Sequence, residues 1–429
     1  MTHDLPDPDA PAGRRARRVA RSQRRKVAGK RRAATPHHTV AKVIAATLLA
    51  LGMATAVSVV MVYNHWNGNL LVDDLGNQLK DRPDKKDVEG PREPLNILVM
   101  GSDTREGEGN NVDGMKLAGE RSDTTLMIHL SANRKFAYGI SIPRDTLVDR
   151  PTCYAEDGTE IPGAQDVMWN EAFSVGGPAC TIQQFEQVSG VRIDNYVVID
   201  FGGFKDMVDA LDGVEVCIPE EIVDTEHNIT LEPGTREIKG DEALSYVRVR
   251  YTVSDGTDPQ RIRRQQAFMA SMLNKAVSGG MLARPDRIVG FMNALTDSLQ
   301  TDFENVAQIG DIGSTFRGVG LGEVKFVTTP WQYSTAQEGR VEWTPDVEKL
   351  WELVVSDQPL TKEFVDDSIS AADDPEGTGS TDGTDSTDGT DSTEGTDGPP
   401  PGGEGGKGGS GGSSGGLSDD AREFAGLCT

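Results

Sequence analysis

Positive charge is scarce in this chain beyond its first 42 residues. The 429 residues carry 68 acidic and 43 basic side chains, a net of −25. Residues 1–42 hold 12 of those bases against 3 acids, a net of +9, so the remainder carries −34. A surface of that sign repels a phosphate backbone, which excludes nucleic acid as the ligand of the main body. Cysteine is limited to four residues, and their spacing matches no zinc-ligand pattern. The Asp-rich repeat that begins at Thr381 lacks the turn and the bidentate Glu of a calcium loop.

Long apolar sequence is confined to Val43–Tyr63, an uncharged run of 21 residues. At about 1.5 Å per residue it matches the hydrocarbon core of a bilayer. The basic block before it places residues 1–42 in the cytoplasm and everything after it outside. Ala54-Thr-Ala56 offers a signal-peptidase reading, but the run is long for a cleaved leader and continues to Tyr63 without turn residues, which favours an uncleaved signal-anchor. The basic tail itself reads as a topogenic segment held to anionic lipid rather than a nucleic-acid arm.

All four cysteines follow the span. An even number in an oxidising compartment suggests two disulfides. A local Cys153–Cys180 loop leaves Cys217 to pair with Cys428, which would fasten the end of the chain back onto the globular region. One structural bridge with two free thiols is the alternative.

Composition divides the rest. Residues 64–93 read as a polar juxtamembrane linker, 94–360 as the globular region, 366–416 as a disordered acidic and Gly-rich tail, and 417–429 as a short terminal segment. Leu95–Met100, Thr124–Leu130, Lys135–Ile142, Tyr196–Asp200 and Val214–Ile218 have strand character. Cys180–Gly190, Phe204–Leu211, the run opened by Asp258-Pro259, and Pro285–Leu299 have helix character. Asp241 is a plausible N-cap, and Tyr246–Arg250 is read as extended, so that Arg248 and Arg250 project from one face. The irregular alternation favours a layered α/β domain.

The chemistry lies in clustered arginines within this acidic region. Arg121, Arg144, Arg248, Arg250 and Arg261 belong to short motifs, and the planar guanidinium fork matches phosphate oxygens bidentately. Arg261 and Gln265 share one face at a helix N-terminus, a favourable place for an anion. Arg263 and Arg264 point elsewhere on that helix, toward solvent. Asp103 follows the first strand and Asp123 precedes the next, so both carboxylates can converge on one hard cation such as Mg²⁺. Taken singly, each Asp is a turn residue and Arg144 a surface salt bridge.

These motifs resemble the LytR-CpsA-Psr family of cell-wall phosphotransferases. The resemblance rests on Asn96–Asp103, Arg121-Ser-Asp123, Ser141-Ile-Pro-Arg144-Asp145, Asn170-Glu-Ala, Val197–Phe201, Gly240–Arg250 and Arg261–Gln266. It implies a layered α/β/α domain with a central mixed sheet, outside a single transmembrane helix. It implies a polyprenyl-pyrophosphate-linked glycopolymer as donor and peptidoglycan as acceptor, next to the lipid bilayer. Asp103 and Asp123 would hold Mg²⁺, and Arg121, Arg144, Arg248, Arg250, Arg261 and Gln265 would hold the pyrophosphate, with Arg144 stabilising the transition state. Phe268, Met269, Met272 and Leu273, with Ile288–Leu295, would line a lipid tunnel, with plain core packing as the alternative. Some relatives carry Lys where this chain has Met168, and Lys205 is a possible substitute. A pyrophosphate hydrolase and a transcriptional attenuator are the alternative readings, and external topology weighs against the second.

Overall fold

The structure is a computed structural model describing residues 37–104, 110, 122–224, 229–249, 258–373, 375, 417–424 and 427–428. Arg121, Arg250, the basic tail over 1–36 and the low-complexity stretch over 376–416 lie outside the described residues. The chain divides into two units, residues 1–63 and 64–429.

Helix α1 (His37–Asn69) supplies all that is described of the first unit. Its Thr39–Asn69 stretch is long and apolar enough to cross a membrane, and none of that window is buried. Thr47, Thr55 and Ser58 donate their hydroxyls to carbonyls four residues back. Those bonds satisfy the helix's polar side chains from within, as an apolar surrounding requires.

In the second unit the strands and helices alternate. β1 (Leu71–Val72), β2 (Leu95–Ser102), β3 (Ser122–Leu130) and β4 (Ala137–Ile142) come first. Four short strands follow, β5 (Leu147–Arg150), β6 (Cys153–Tyr154), β7 (Glu160–Ile161) and β8 (Ala164–Met168). Then come α2 (Glu171–Ser189), β9 (Asn195–Ile199) and α3 (Phe201–Ala210). A small β layer holds β10 (Val214–Ile218), β11 (Ile222–Asp224), β12 (Ile229–Leu231) and β13 (Gly234–Ile238). Helices α4 (Gly240–Arg248), α5 (Asp258–Val277), α6 (Gly279–Leu282) and α7 (Pro285–Ser298) lead to β14 (Leu299–Thr301) and α8 (Val306–Val319). β15 (Val324–Thr328), the hairpin β16 (Trp331–Tyr333) and β17 (Val341–Trp343), α9 (Asp346–Val355), α10 (Lys362–Val365), β18 (Ile369–Ser370) and α11 (Asp419–Phe424) complete the unit.

The central mixed sheet has eight strands in the order β1-β14-β9-β2-β3-β4-β15-β18. β9 runs parallel to β2, and β15 parallel to β4, while β3 is antiparallel to both of its neighbours. Strands β9, β2, β4 and β15 therefore end at one edge, where β3 begins. Gly139 lies at the middle of this sheet, where an added Cβ would fall 2.5 Å from the Phe326 ring of β15.

One face of the sheet is fully packed. Leu98, Met100, Met127, Ile140 and Tyr196 press against Ile182 and Phe185 of α2 and Leu350 and Trp351 of α9. Burying each such side chain contributes roughly 1.5–3 kcal/mol. Gly190 ends α2 at φ 68°, a left-handed C-cap that glycine adopts without strain. On the other face, Leu126, Leu130 and Phe326 meet Ala270 of α5 and Val319 of α8. A third cluster joins α3, α4 and α5 to β10–β13, with Tyr246 and Phe268 at its centre.

Several expectations are corrected. Tyr246–Arg248 is helical, because Ala243, Leu244 and Tyr246 bury one face of α4; that turn of chain is amphipathic at helical rather than strand spacing. Its N-cap is Lys239, and Asp241 sits in the first turn, ion-paired with Lys205 at 2.9 Å. The stretch over 64–93 packs on the domain: Arg82 donates to the buried Glu186 at 2.8 Å, and Lys85 pairs with Asp194 at 2.8 Å. The sheet also extends beyond residue 360. Ile369 and Ser370 pair with β15, within a stretch whose composition reads as tail.

Both disulfides pair as the sequence suggests. Cys153–Cys180 ties the β6–β7 hairpin to α2, and Cys217–Cys428 ties β10 to the segment after α11.

Candidate functional site

The shared edge of β9, β2, β4 and β15 gathers the sequence motifs. Asp103 follows β2, Arg144 follows β4 after Pro143, and Asp200 follows β9 as the N-cap of α3, accepting from Gly203 N at 2.8 Å. Strand carboxyl ends in open α/β sheets form such crevices. β3 enters at the same edge with a bulge: Gly101 pairs with Thr124 and Ser102 with Ser122, which leaves Asp123 as the extra residue. A bulge re-aims a side chain, and here it sets Asp123 beside the end of β4.

Arg144 Nη1 donates to Asp123 Oδ1 in an ion pair, and Arg144 Nε lies 3.8 Å from Asp145. Arg261, in the first turn of α5, is 4 % exposed, and its Nη2 donates to the Asp123 carbonyl at 3.4 Å. Gln265, one turn on, accepts from Thr124 Oγ1 at 3.4 Å and donates to Val247 O at 3.0 Å. The two residues thus face β3 together, as their spacing of four predicts. Arg248 leaves the end of α4 over the Phe201 ring at 4.7 Å, a cation–π contact beside the start of α3.

Two arginines assigned to solvent are not there. Arg264 is 1 % exposed, and its Nη2 donates to Val249 O. Burial lowers its pKa to about 10, with the Arg261 charge adding to the effect, so it remains cationic at neutral pH. Arg263 is held by Asp367 through an ion pair and through the Asp367 carbonyl at 2.6 Å. The helix is covered on more sides than its amphipathic spacing implies, since residues 367–371 return across it.

Sequence reasoning also passed over residues that hold the site together. Gln266 Nε2 donates to Ser141 Oγ at 2.9 Å and Thr328 Oγ1 at 3.1 Å, pinning α5 to the ends of β4 and β15. Asn110 donates to Asp200 at 2.9 Å and accepts from Gly202 N at 2.7 Å. Asp145 accepts from Arg340 at 3.1 Å. Met168 ends β8 opposite Leu147, three residues past Arg144. Lys205 is engaged by Asp241 on α4.

Asp103 and Asp123 flank the β2–β3 bulge with hard oxygen donors. Among the described residues no cluster of three or more His, Cys, Asp or Glu has metal-binding geometry. Mg²⁺ takes one or two protein carboxylates and completes its shell with water and phosphate oxygens, so a site for it needs no such cluster.

Next to this edge the second sheet face changes character. Val99, Ile128, Val197 and Ile199 share that face by strand alternation and are only half-buried. Met269 and Leu273 of α5 and Ile312 and Phe316 of α8, packed about the same cluster, are half-buried too. Both sets are apolar and keep part of their surface uncovered. Phe268, by contrast, is fully buried core.

Comparison with known proteins agrees with these motifs. The LytR_cpsA_psr family model matches residues 64–355. The probable cell wall biosynthesis protein LcpB of Corynebacterium glutamicum is 36 % identical over 197 residues, 45 % of this chain and 44 % of the relative. The polyisoprenyl-teichoic acid–peptidoglycan teichoic acid transferase TagT of Bacillus subtilis is 30 % identical over 213 residues, 48 % of this chain and 60 % of the relative. The chain spans about half the length of the curated relatives it matches. Among solved structures, protein gbs0355 from Streptococcus agalactiae aligns with a TM-score of 0.50 at 22 % identity, covering 63 % of this chain and 90 % of that one. TagT bound to LI-WTA aligns with a TM-score of 0.48 at 21 % identity, covering 68 % and 100 %. With the family model matched over more than half of this chain, and Arg144, Arg261, Asp103 and Asp123 of its motifs at one sheet edge, the chain belongs to the LytR-CpsA-Psr family.

Proposed function

We propose that this chain is a membrane-anchored phosphotransferase that moves a phospho-glycopolymer from a polyprenyl-pyrophosphate carrier to peptidoglycan. The observation that carries this reading is adjacency. A cationic site built on Arg144, Arg248 and Arg261 stands at the edge of a sheet face whose apolar side chains are only half-buried, and we read that face as a lipid groove. A pyrophosphate attached to a long isoprenoid needs both at once. The transferase names of TagT and TagV, a further Bacillus subtilis relative, support the same substrate class.

In the reaction, an acceptor hydroxyl oxygen forms a bond to the phosphorus that bears the glycopolymer. The bridging P–O bond of the pyrophosphate breaks, its electron pair leaves with polyprenyl phosphate, and the hydroxyl proton passes to a base. Positioning and charge compensation supply most of what such a transfer requires. Arg144 reaches the site from a rim fixed by Pro143, and Arg261 presents its fork from a helix N-terminus. Mg²⁺ held by Asp103 and Asp123 would neutralise pyrophosphate oxygens. The two disulfides suit a domain outside the membrane, with residues 1–42 in the cytoplasm.

The test uses the full chain in bilayers, a lipid-linked glycopolymer and a soluble peptidoglycan oligosaccharide. Glycopolymer joined to the oligosaccharide, with release of polyprenyl phosphate, is expected. Free glycopolymer phosphate as the sole product would establish a hydrolase and overturn the reading.

A further inference from the structure

The β16–β17 hairpin carries a feature that the pyrophosphate site does not use. Tyr333 is 50 % exposed; among the described residues after Asn64 it is the one aromatic side chain exposed to this extent. Trp331, two residues before it, is half-buried, and the two rings meet edge to face with centroids 5.1 Å apart. One exposed ring braced by a half-buried one offers an aromatic contact surface at low ordering cost, the kind of surface that aromatic side chains supply in binding sites.

The hairpin is anchored to the catalytic rim. β16 begins three residues after β15 ends at the shared edge. Val341 N donates to Asp145 O at 3.3 Å, Arg340 pairs with the Asp145 carboxylate, and Thr146 bridges to Val341. Asp145 is the residue after Arg144. Across the ladder from Trp331, Trp343 donates to Thr329 Oγ1 at 3.0 Å and packs on Trp169 and Trp351, which fixes the hairpin's base.

We propose that Trp331 and Tyr333 form a stacking platform for the sugar rings of the acceptor glycan. This rests on the transferase reading above. A pyranose presents an apolar face of C–H groups that packs on an aromatic ring, and its hydroxyls take hydrogen bonds at the edges. The strand order selects the acceptor over the donor. The half-buried apolar side chains lie on β9, β2 and β3, whereas the hairpin continues from the end of β15 and is bridged to Thr146 after β4. An in-line displacement places the attacking oxygen opposite the leaving group. With the leaving lipid on the β9–β2–β3 side, the acceptor enters from the side of the aromatic pair.

The experiment measures transfer by the full chain in bilayers while acceptor oligosaccharide and lipid-linked donor are varied separately. It also follows Trp fluorescence on adding acceptor oligosaccharide alone. Trp331→Ala and Tyr333→Ala are expected to raise the acceptor KM about tenfold, the scale of one ring contact, with kcat and donor KM unchanged. Tyr333→Phe keeps the ring and is expected to keep the acceptor KM. An unchanged acceptor KM in both alanine variants overturns the platform, and a raised donor KM alone assigns the surface to the donor glycan and overturns it equally. If the wild-type chain transfers nothing, the transferase reading fails by itself; saturable fluorescence quenching that Tyr333→Ala weakens then still supports the sugar platform, and quenching unaffected by it refutes it.

Discussion

Arg144 and Asp123 form an ion pair across the end of the central sheet, with a bulge in β3 turning the aspartate toward the arginine. The side chain expected to stabilise phosphoryl charge is thus held by the carboxylate expected to hold the metal. Arg144 is 17 % exposed and Asp123 27 %. On the function proposed above, an arriving pyrophosphate with Mg²⁺ would satisfy both at once, the anion taking the arginine and the cation the aspartate.

Arg144→Ala should lower the transfer rate by about 10²–10³-fold, the range for losing one charged contact to a transition state. Its side chain fills no core, so circular dichroism and thermal midpoint should stay at wild-type values. Wild-type kcat in the folded variant would remove Arg144 from the mechanism.

Asp103→Asn should move the midpoint of a Mg²⁺ activation titration to higher concentration by about tenfold, since one anionic ligand of two is neutralised. Titrating the metal at saturating donor isolates this effect. An unchanged midpoint would place the ion elsewhere.

Val99→Trp should fill the groove between the sheet and α5. The KM for a long-chain polyprenyl donor should rise by roughly tenfold or more, while a short, water-soluble isoprenoid analogue is handled as before. Equal effects on both donors would argue that the groove does not hold the lipid.

Asp357→Ala should destabilise the domain without touching the site. Asp357 is 8 % exposed, accepts from Ala132 N with both oxygens and lies 3.1 Å from His129 Nε2, whose Nδ1 meets Asn96 at 2.7 Å. Leaving those buried groups without their acceptor should cost about 2–4 kcal/mol, read from urea unfolding. A loss under about 0.5 kcal/mol would show that the network carries no stability.

Much of this architecture is written in local patterns. β10 falls on Val214–Ile218 as its apolar run predicts, and α7 starts at Pro285 as the proline at N1 predicts. Spacing alone also turns Arg261 and Gln265 toward the same strand. Other features depend on partners far along the chain. Arg264 looks like a surface residue because periodicity reports which positions are apolar. It does not report that Val249 O lies over a charged one. The bulge at Asp123 has no signature in Ser-Asp-Thr, since it arises from the register with β2. β18 is two residues in an acidic stretch, and only its pairing with β15 makes it a strand.

The Cys217–Cys428 bridge fastens the segment after α11 to β10, and Arg422 of α11 donates to Pro375 O at 3.1 Å. Leu427, the residue before the bridge, is 5 % exposed and packs with the cluster on the second sheet face. A reducing agent that opened the bridge would leave that segment held by these noncovalent contacts alone, so its release on reduction measures how strongly they hold.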